Sequence, residues 1–404
     1  MVVMNRLIAQ SFLSVFSFCG TVFAQADRVA APKPYTTIDL RSVGIAEPKS
    51  ISDKQLGIAM SKYGELSLTG FDPNLHLAYV DESCAILYRE EQAGRLGSAF
   101  ELRVYKLSLS DNKMQQIAVP YANITDQSSE LGNTEVQVIG RTLVIRANTR
   151  ITTWRIADLT RYAEFTAPGE QRPSAAWVGY YAVADDAIAT CAMSKDGARC
   201  VWLSIPELKV TGQIDMPSVE YQGESGIIPA QDYVLRAEVT VVGKEIKNPR
   251  IRAYFRDGIS KEVCSDTSCL YVTSYIANDT FLVHSQHDFA LLHLASRTRA
   301  AQISGRHELI AGCEYSYLDQ DVDRSSATIG LEVDCTESKP RKRLNVYRWS
   351  DGTQIASMKL DVHLDWYESK IGGAGTILGV LTGERLRLYR LPPEVSQEHE
   401  FASE

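Results

Sequence analysis

The chain has 404 residues, 45% of them hydrophobic and 23% charged, with a formal net charge of -8. Such a composition is ordinary for a globular protein with a sizeable core. No broad basic stripe is present, which argues against a nucleic-acid partner held through phosphate contacts.

The N-terminus reads as a secretory signal. Arg6 supplies the positive end, Leu7 to Phe23 is mostly apolar, and Ala24-Gln25-Ala26 gives a small-x-small cleavage pattern. Ser14, Ser17 and Gly20 interrupt the apolar stretch, which argues against a membrane anchor. Phe18 stands before Cys19, where a lipoprotein signal needs a small residue. No other apolar run is long enough to cross a bilayer. The expected organisation is a signal peptide at 1–26, a folded body at 27–393 and a tail at 394–404. Export implies a secreted or periplasmic protein, in a compartment where disulfides form.

The folded body repeats one strand pattern. Its copies are Arg103-Val104-Tyr105-Lys106-Leu107, Thr152-Thr153-Trp154-Arg155-Ile156, Cys200-Val201-Trp202-Leu203, Arg252-Ala253-Tyr254-Phe255, Ala290-Leu291-Leu292-His293-Leu294, Asn345-Val346-Tyr347-Arg348-Trp349 and Arg387-Leu388-Tyr389-Arg390-Leu391. Their centres, at 105, 154, 202, 254, 292, 347 and 389, are spaced 38 to 55 residues apart. An apolar stretch precedes most copies, as at 143–147, 187–192 and 376–381. A turn and a further strand follow each copy but the last, as at 115–120, 161–167 and 209–216. No segment keeps a helical period.

The recurring strand is apolar on both faces. Side chains alternate along a strand, so Tyr105 and Leu107 share one face while Leu102 and Val104 share the other. A sheet wetted on one side would show a polar face there. These copies fit a sheet covered on both sides, as radial packing of blades provides. The pattern resembles the β-propeller repeat proteins with YVTN-type or WD-like blades, over about residues 35–391. The Gly-His and Trp-Asp signatures of WD repeats are absent. The resemblance implies an all-β propeller of about seven four-stranded blades, closed by an N-terminal strand. Tyr35–Leu40 is the candidate for that strand, because the seventh copy ends at Leu391-Pro392-Pro393 with no partner after it. A large β-sandwich or two β domains would also give many short strands.

Eight cysteines are present. Cys19 leaves with the signal. Cys191 and Cys200 sit symmetrically about the Lys195-Asp196-Gly197-Ala198 turn and are expected to bond across a hairpin. Cys313/Cys335 is the candidate staple of the sixth unit, and Cys264/Cys269 that of the connection between the fourth and fifth. Cys84 is left over, as a buried thiol or an intermolecular partner. No C-x-x-C pair supports a zinc or thioredoxin reading.

Asp319, Asp321 and Asp323 form a D-x-D-x-D string placed in a loop, a pattern that can converge on Ca²⁺. Arg324 and Gly330 occupy the positions where an EF-hand needs glycine and glutamate, so a solvated acidic loop is the competing reading. His284, His287, Asp288 and His293 gather around one expected hairpin, but three-residue spacing on a strand divides His284 from His287. Gly223-Glu224-Ser225-Gly226 lacks the last glycine of a nucleophile elbow, which Ile227 replaces. Lys339-Pro340-Arg341-Lys342-Arg343 reads as a basic inter-strand loop. Asn123-Ile124-Thr125 and Asn278-Asp279-Thr280 are glycosylation sequons.

No catalytic motif or cofactor fingerprint emerges. The expectation is an exported, non-catalytic scaffold that holds a protein or glycan on its loops. The alternative is a propeller hydrolase, lyase or oxidoreductase with its site at the central channel mouth, where convergent carboxylates, histidines or a metal would be required.

Overall fold

The computed structural model describes residues 33–45, 74–92, 100–121, 134–147, 150–166, 176–194, 197–217, 227–242, 245–264, 272–277, 279–284, 288–295, 300–308, 313–323, 328–335, 341–348, 354–359, 368–373 and 375–392. For 300–308, 313–323 and 328–335 it describes the backbone alone.

Strand β1 (Thr36–Asp39) and a 3-10 turn (Leu40–Val43) come first. Sheet 1 follows: β2 (His76–Val80), β3 (Cys84–Gln92), β4 (Phe100–Ser108) and β5 (Met114–Tyr121). Sheet 2 is β6 (Thr134–Ile139), β7 (Thr142–Ala147), β8 (Arg150–Arg155) and β9 (Arg161–Thr166). Sheet 3 is β10 (Ala176–Ala184), β11 (Ala187–Ser194), β12 (Gly197–Ser204) and β13 (Val210–Pro217). Sheet 4 is β14 (Ile227–Pro229), β15 (Tyr233–Val242), β16 (Glu245–Phe255) and β17 (Ser260–Cys264). Sheet 5 is β18 (Val272–Ala277), β19 (Thr280–His284), β20 (Asp288–Ala295) and β21 (Ala300–Glu308). Sheet 6 is β22 (Cys313–Asp323), β23 (Thr328–Cys335), β24 (Arg341–Arg348) and β25 (Gln354–Lys359). Sheet 7 takes β26 (Glu368–Gly372), β27 (Ile377–Thr382) and β28 (Arg385–Arg390). Each of sheets 1 to 6 is a four-stranded meander, and sheet 7 is completed by β1, in the order β1-β28-β27-β26.

The fold is therefore a seven-bladed β-propeller, and the N-terminal strand closes it as the sequence predicts. Thr36 pairs with Leu388 and Asp39 with Arg385, antiparallel. Every recurring copy lies on the third strand of its sheet. The double-sided burial is real: Tyr105 and Leu107 join a buried cluster with Leu386 and Leu388 of sheet 7. Leu102 and Val104 join another with Leu143 and Ile145 of sheet 2. Similar clusters fill the seams between sheets 2 and 3, 3 and 4, 4 and 5, and 6 and 7.

Register refines the repeat. The first residue of each second strand faces the last residue of the third, or in sheet 5 the residue two before it: Cys84–Ser108, Thr142–Arg155, Ala187–Ser204, Tyr233–Phe255, Thr280–His293, Thr328–Arg348 and Ile377–Arg390. One residue earlier stand Leu107, Trp154, Leu203, Tyr254, Leu292, Tyr347 and Tyr389. Tyr105 is thus two places out of step with the other centres, and Trp202 one place. Trp202 faces sheet 4, where its indole N–H donates to the Ala230 carbonyl at 2.8 Å and Arg256 lies 4.6 Å over the ring. Five residues before the position that faces the start of the second strand stands an arginine in six sheets: Arg103, Arg150, Arg199, Arg250, Arg343 and Arg385, with Asp288 in sheet 5.

Antiparallel meanders place the connections at two ends. First-to-second and third-to-fourth connections, of two to five residues, share one end. The connections from each sheet to the next, at 122–133, 167–175, 218–226, 265–271, 309–312 and 360–367, emerge at the other, where the inner strands begin. The short-turn end is built by local hydrogen bonds. Asp81 Oδ1 accepts from the Ser83 and Cys84 N–H groups at 2.7 Å each, and Tyr79 O–H donates to Oδ2 at 2.9 Å. Burial alone raises the Asp81 carboxyl, but these bonds outweigh it and hold the group below its ordinary range. A depressed pKa means stability that is complete above the ordinary aspartate range and lost as pH falls through the folded value. Asp81→Ala is expected to lower stability at pH 7 by about 1 kcal/mol, given partial exposure. That deficit should shrink when urea unfolding is repeated in strong acid.

In sheet 3, Cys191 stands opposite Cys200 and is bonded to it, with Cα atoms 4.0 Å apart. The neighbouring Ile205 N–H to Asp186 carbonyl bond sets the alternation, which makes 191/200 a non-hydrogen-bonded pair, the closer of the two kinds. Reducing this bond is expected to cost about 2–3 kcal/mol. Cys84 is buried and its thiol is pushed up to about 11 by that burial. It should react with iodoacetamide only as the protein unfolds, which alkylation timed against unfolding would test.

Candidate functional site

The inner strands begin at the long-connection end, so their first residues surround one mouth of the central channel. Glu368 opens β26 and His76 opens β2. One Glu368 oxygen bonds His76 Nδ1, and the other accepts the Leu77 backbone N–H at 2.5 Å. A carboxylate of sheet 7 thus caps the inner edge strand of sheet 1. His76 stacks on Tyr88, with centroids 4.8 Å apart. Both members of the pair are only partly buried, at 14% and 24% side-chain exposure, so the imidazole borders solvent.

Further polar contacts continue around the same end. Thr134, first residue of β6, donates to the buried Glu90 of sheet 1. Glu135 lies 3.5 Å from Arg146 across the β6–β7 ladder and accepts from Gln137 at 2.5 Å. Arg146 is 8% exposed, and its Nε and Nη1 make no hydrogen bond among the described residues. Tyr181 on the inner strand of sheet 3 feels both Glu135 and Arg146, and burial pushes its phenol up to about 12.

Farther out, sheets 1 and 4 carry matching ionic knots. Glu91 bonds Arg103 Nε at 2.7 Å, Arg89 Nε at 2.6 Å and Tyr105 O–H at 3.2 Å. Glu238 bonds Arg250 Nε at 2.7 Å and Tyr254 O–H at 2.6 Å, with Arg252 at 3.6 Å. Both phenols are pushed up to about 12, first by burial and then by the neighbouring glutamate. They remain protonated donors at neutral pH. Of the recurring arginines, Arg150 bonds the Pro120 carbonyl and Arg199 bonds Asp215 at 2.5 Å. These groups staple strands and seams.

The sequence candidates fall elsewhere. Asp319, Asp321 and Asp323 are not in a loop. They lie on the inner strand β22, with Asp321 opposite Gly330 and Asp323 opposite Thr328, beside the short turn. They therefore sit at the end of β22 away from the mouth, and their side chains are outside the described set. His293 lies on a third strand, its Nδ1 2.9 Å from Thr280 Oγ1. His284 ends β19 and Asp288 begins β20, on either side of the undescribed His287. Arg341–Arg343 of the basic run begin strand β24 rather than lying in a loop, because they pair with Cys335, Asp334 and Val333. Cys264 ends β17; Cys269, the 223–226 segment, Asn123 and Asn278 lie outside the described residues. Among the described residues no group of three or more His, Cys, Asp or Glu is placed to hold a metal ion. No described helix is long and apolar enough to cross a membrane.

No family model and no curated protein matches the chain. Solved structures that align with it include the WD40 repeats of RRP9, at 10% identity and TM-score 0.43 over 80% of this chain and 99% of that one. BamB from Moraxella catarrhalis aligns at 10% identity and TM-score 0.37, over 78% and 96%. An oligogalacturonate lyase in complex with manganese aligns at 12% identity and TM-score 0.43, over 80% and 98%. The fold assignment rests on the seven sheets themselves.

Proposed function

We propose that this chain is an exported binding scaffold that holds a protein or glycan at its long-connection end. The supporting observation is the asymmetry of the ring. One end is tied by short, self-bonded turns, whereas every sheet-to-sheet connection emerges at the other, around a mouth bordered by His76, Glu368 and Glu135. A rigid ring carrying its variable connections on one side is suited to recognition. Export carries its own test: N-terminal sequencing of protein recovered from the periplasm or medium should begin at Asp27.

The binding reading is tested with a photo-crosslinking amino acid placed at Thr166 or Pro217, exposed residues on the long-connection end, or at Asp186 or Asp257, on the other. Exposure to an extract of the host envelope and to a glycan array should give adducts or retention that the first pair alters and the second leaves alone. Equal labelling from both ends would count against it.

The enzyme reading has one observation in its favour. An imidazole oriented by a carboxylate at a channel mouth has the layout of a general base and its orienting partner. Turnover of a library substrate that disappears in His76→Ala, with the fold intact by circular dichroism, would replace the scaffold reading with this one.

A further inference from the structure

We propose that Cys313 and Cys335 form a disulfide that pins the inner strand of sheet 6 to its neighbour at the channel mouth. The inference is independent of the binding reading. Cys313, the first residue of β22, stands directly opposite Cys335, the last residue of β23. The same juxtaposition, Cys191 opposite Cys200, carries the bond in sheet 3. Directly opposed residues of antiparallel strands bring their Cβ atoms to about 4.5–5.5 Å, close to the separation that a disulfide spans.

The local ladder gives the bond something to do. Tyr315 pairs with Val333, but the next pair is Gln320 with Leu331. Residues 316–319 of β22 therefore stand against a single residue of β23. In the ladder to β23, the mouth end of the inner strand is held by three pairs, Cys313–Cys335, Glu314–Asp334 and Tyr315–Val333. One of these three opposes two carboxylates, a pairing that weakens a ladder. A covalent tie beside it fixes the register that the like charges work against. In forming it, the two thiols release two protons and two electrons as the S–S bond is made. Glutathione disulfide, or an oxidised dithiol exchange protein, accepts the electrons and leaves as free thiols.

The test uses the purified full chain, incubated with glutathione disulfide, denatured, alkylated without reductant and digested with trypsin. Cys313 leaves in the peptide 307–324 and Cys335 in the peptide 325–341. The two should emerge as one linked species that a reductant splits, as the Cys191 and Cys200 segments do. Recovery of either Cys313 or Cys335 as the alkylated thiol overturns the proposal. The pinning role has a separate readout. A chain carrying Cys313→Ser and Cys335→Ser should be nicked by trypsin after Arg341, which pairs with Cys335, about tenfold faster than wild type under native conditions, because local opening controls such cleavage. An unchanged rate would show that any bond there does not hold the strand.

Discussion

Deletion of residues 33–45 is expected to make the chain aggregate and lower its unfolding midpoint. Ile38, Leu40 and Ile45 are buried at 7%, 0% and 3% exposure in the seam cluster of sheets 7 and 1. Removing three such side chains forfeits about 6 kcal/mol of apolar burial. That is comparable to the whole net stability of a typical domain, about 5–15 kcal/mol. The deletion also strips the β1 ladder from β28, leaving an open edge that can template pairing with other copies. Size-exclusion chromatography and a thermal melt read both effects. A peptide of residues 33–45 supplied separately should restore solubility. A truncated chain that stays soluble with an unchanged midpoint would mean that the ring does not depend on this strand.

The second large effect is expected at Gly372. It ends β26 on the inner rim, and a methyl group built there would fall inside the contact radius of the Val80 carbonyl oxygen at the end of β2. Backbone, unlike a flexible side chain, cannot step aside, so the inner strands of sheets 7 and 1 would have to part. Gly372→Ala should destabilise by about 3 kcal/mol, the upper end for overpacking. Gly379→Ala should cost less, because its would-be neighbours are the side chains of Leu77 and Val80 at 3.1 Å. Gly258 meets nothing within 4 Å but sits at φ +80°. Its alanine variant isolates the backbone penalty, about 1 kcal/mol. Urea denaturation of the three variants should return that ranking. Equal losses at Gly372 and Gly258 would remove the close approach from the account.

The repeat was legible because the third strand of each sheet is buried on both faces, which writes a dense apolar signature that returns once per blade. The closing strand was legible for a related reason: the last copy lacked a fourth strand. Register within the copies was not. Val201, Trp202 and Leu203 are all buried, as are Val104, Tyr105 and Leu107, so the sequence alone offers no wet face to mark the phase, and an aromatic centre puts Trp202 one residue and Tyr105 two residues out of register. The recurring arginine emerges only once that phase is known. The mouth was beyond reach for another reason. His76 and Glu368 are 292 residues apart in sequence, and each is a single polar residue opening a five-residue strand. Nothing local distinguishes them from any exposed histidine and glutamate; only closure of the ring makes them neighbours. The acidic string was misplaced because alternating aspartates read as a loop, although on β22 they simply occupy every second position of an inner strand.

The pairing of β1 with β28 also sets a clock. Residues 36–39 are synthesised long before residues 385–388, their strand partner among the described residues, so an early strand is the last to find its place. Until then sheet 7 lacks its outer member and the seam to sheet 1 lacks Ile38 and Leu40. A contact this distant in the chain is slow to form. Refolding should therefore end in a late phase, reported by burial near the N-terminus after the middle sheets are already protected from hydrogen exchange.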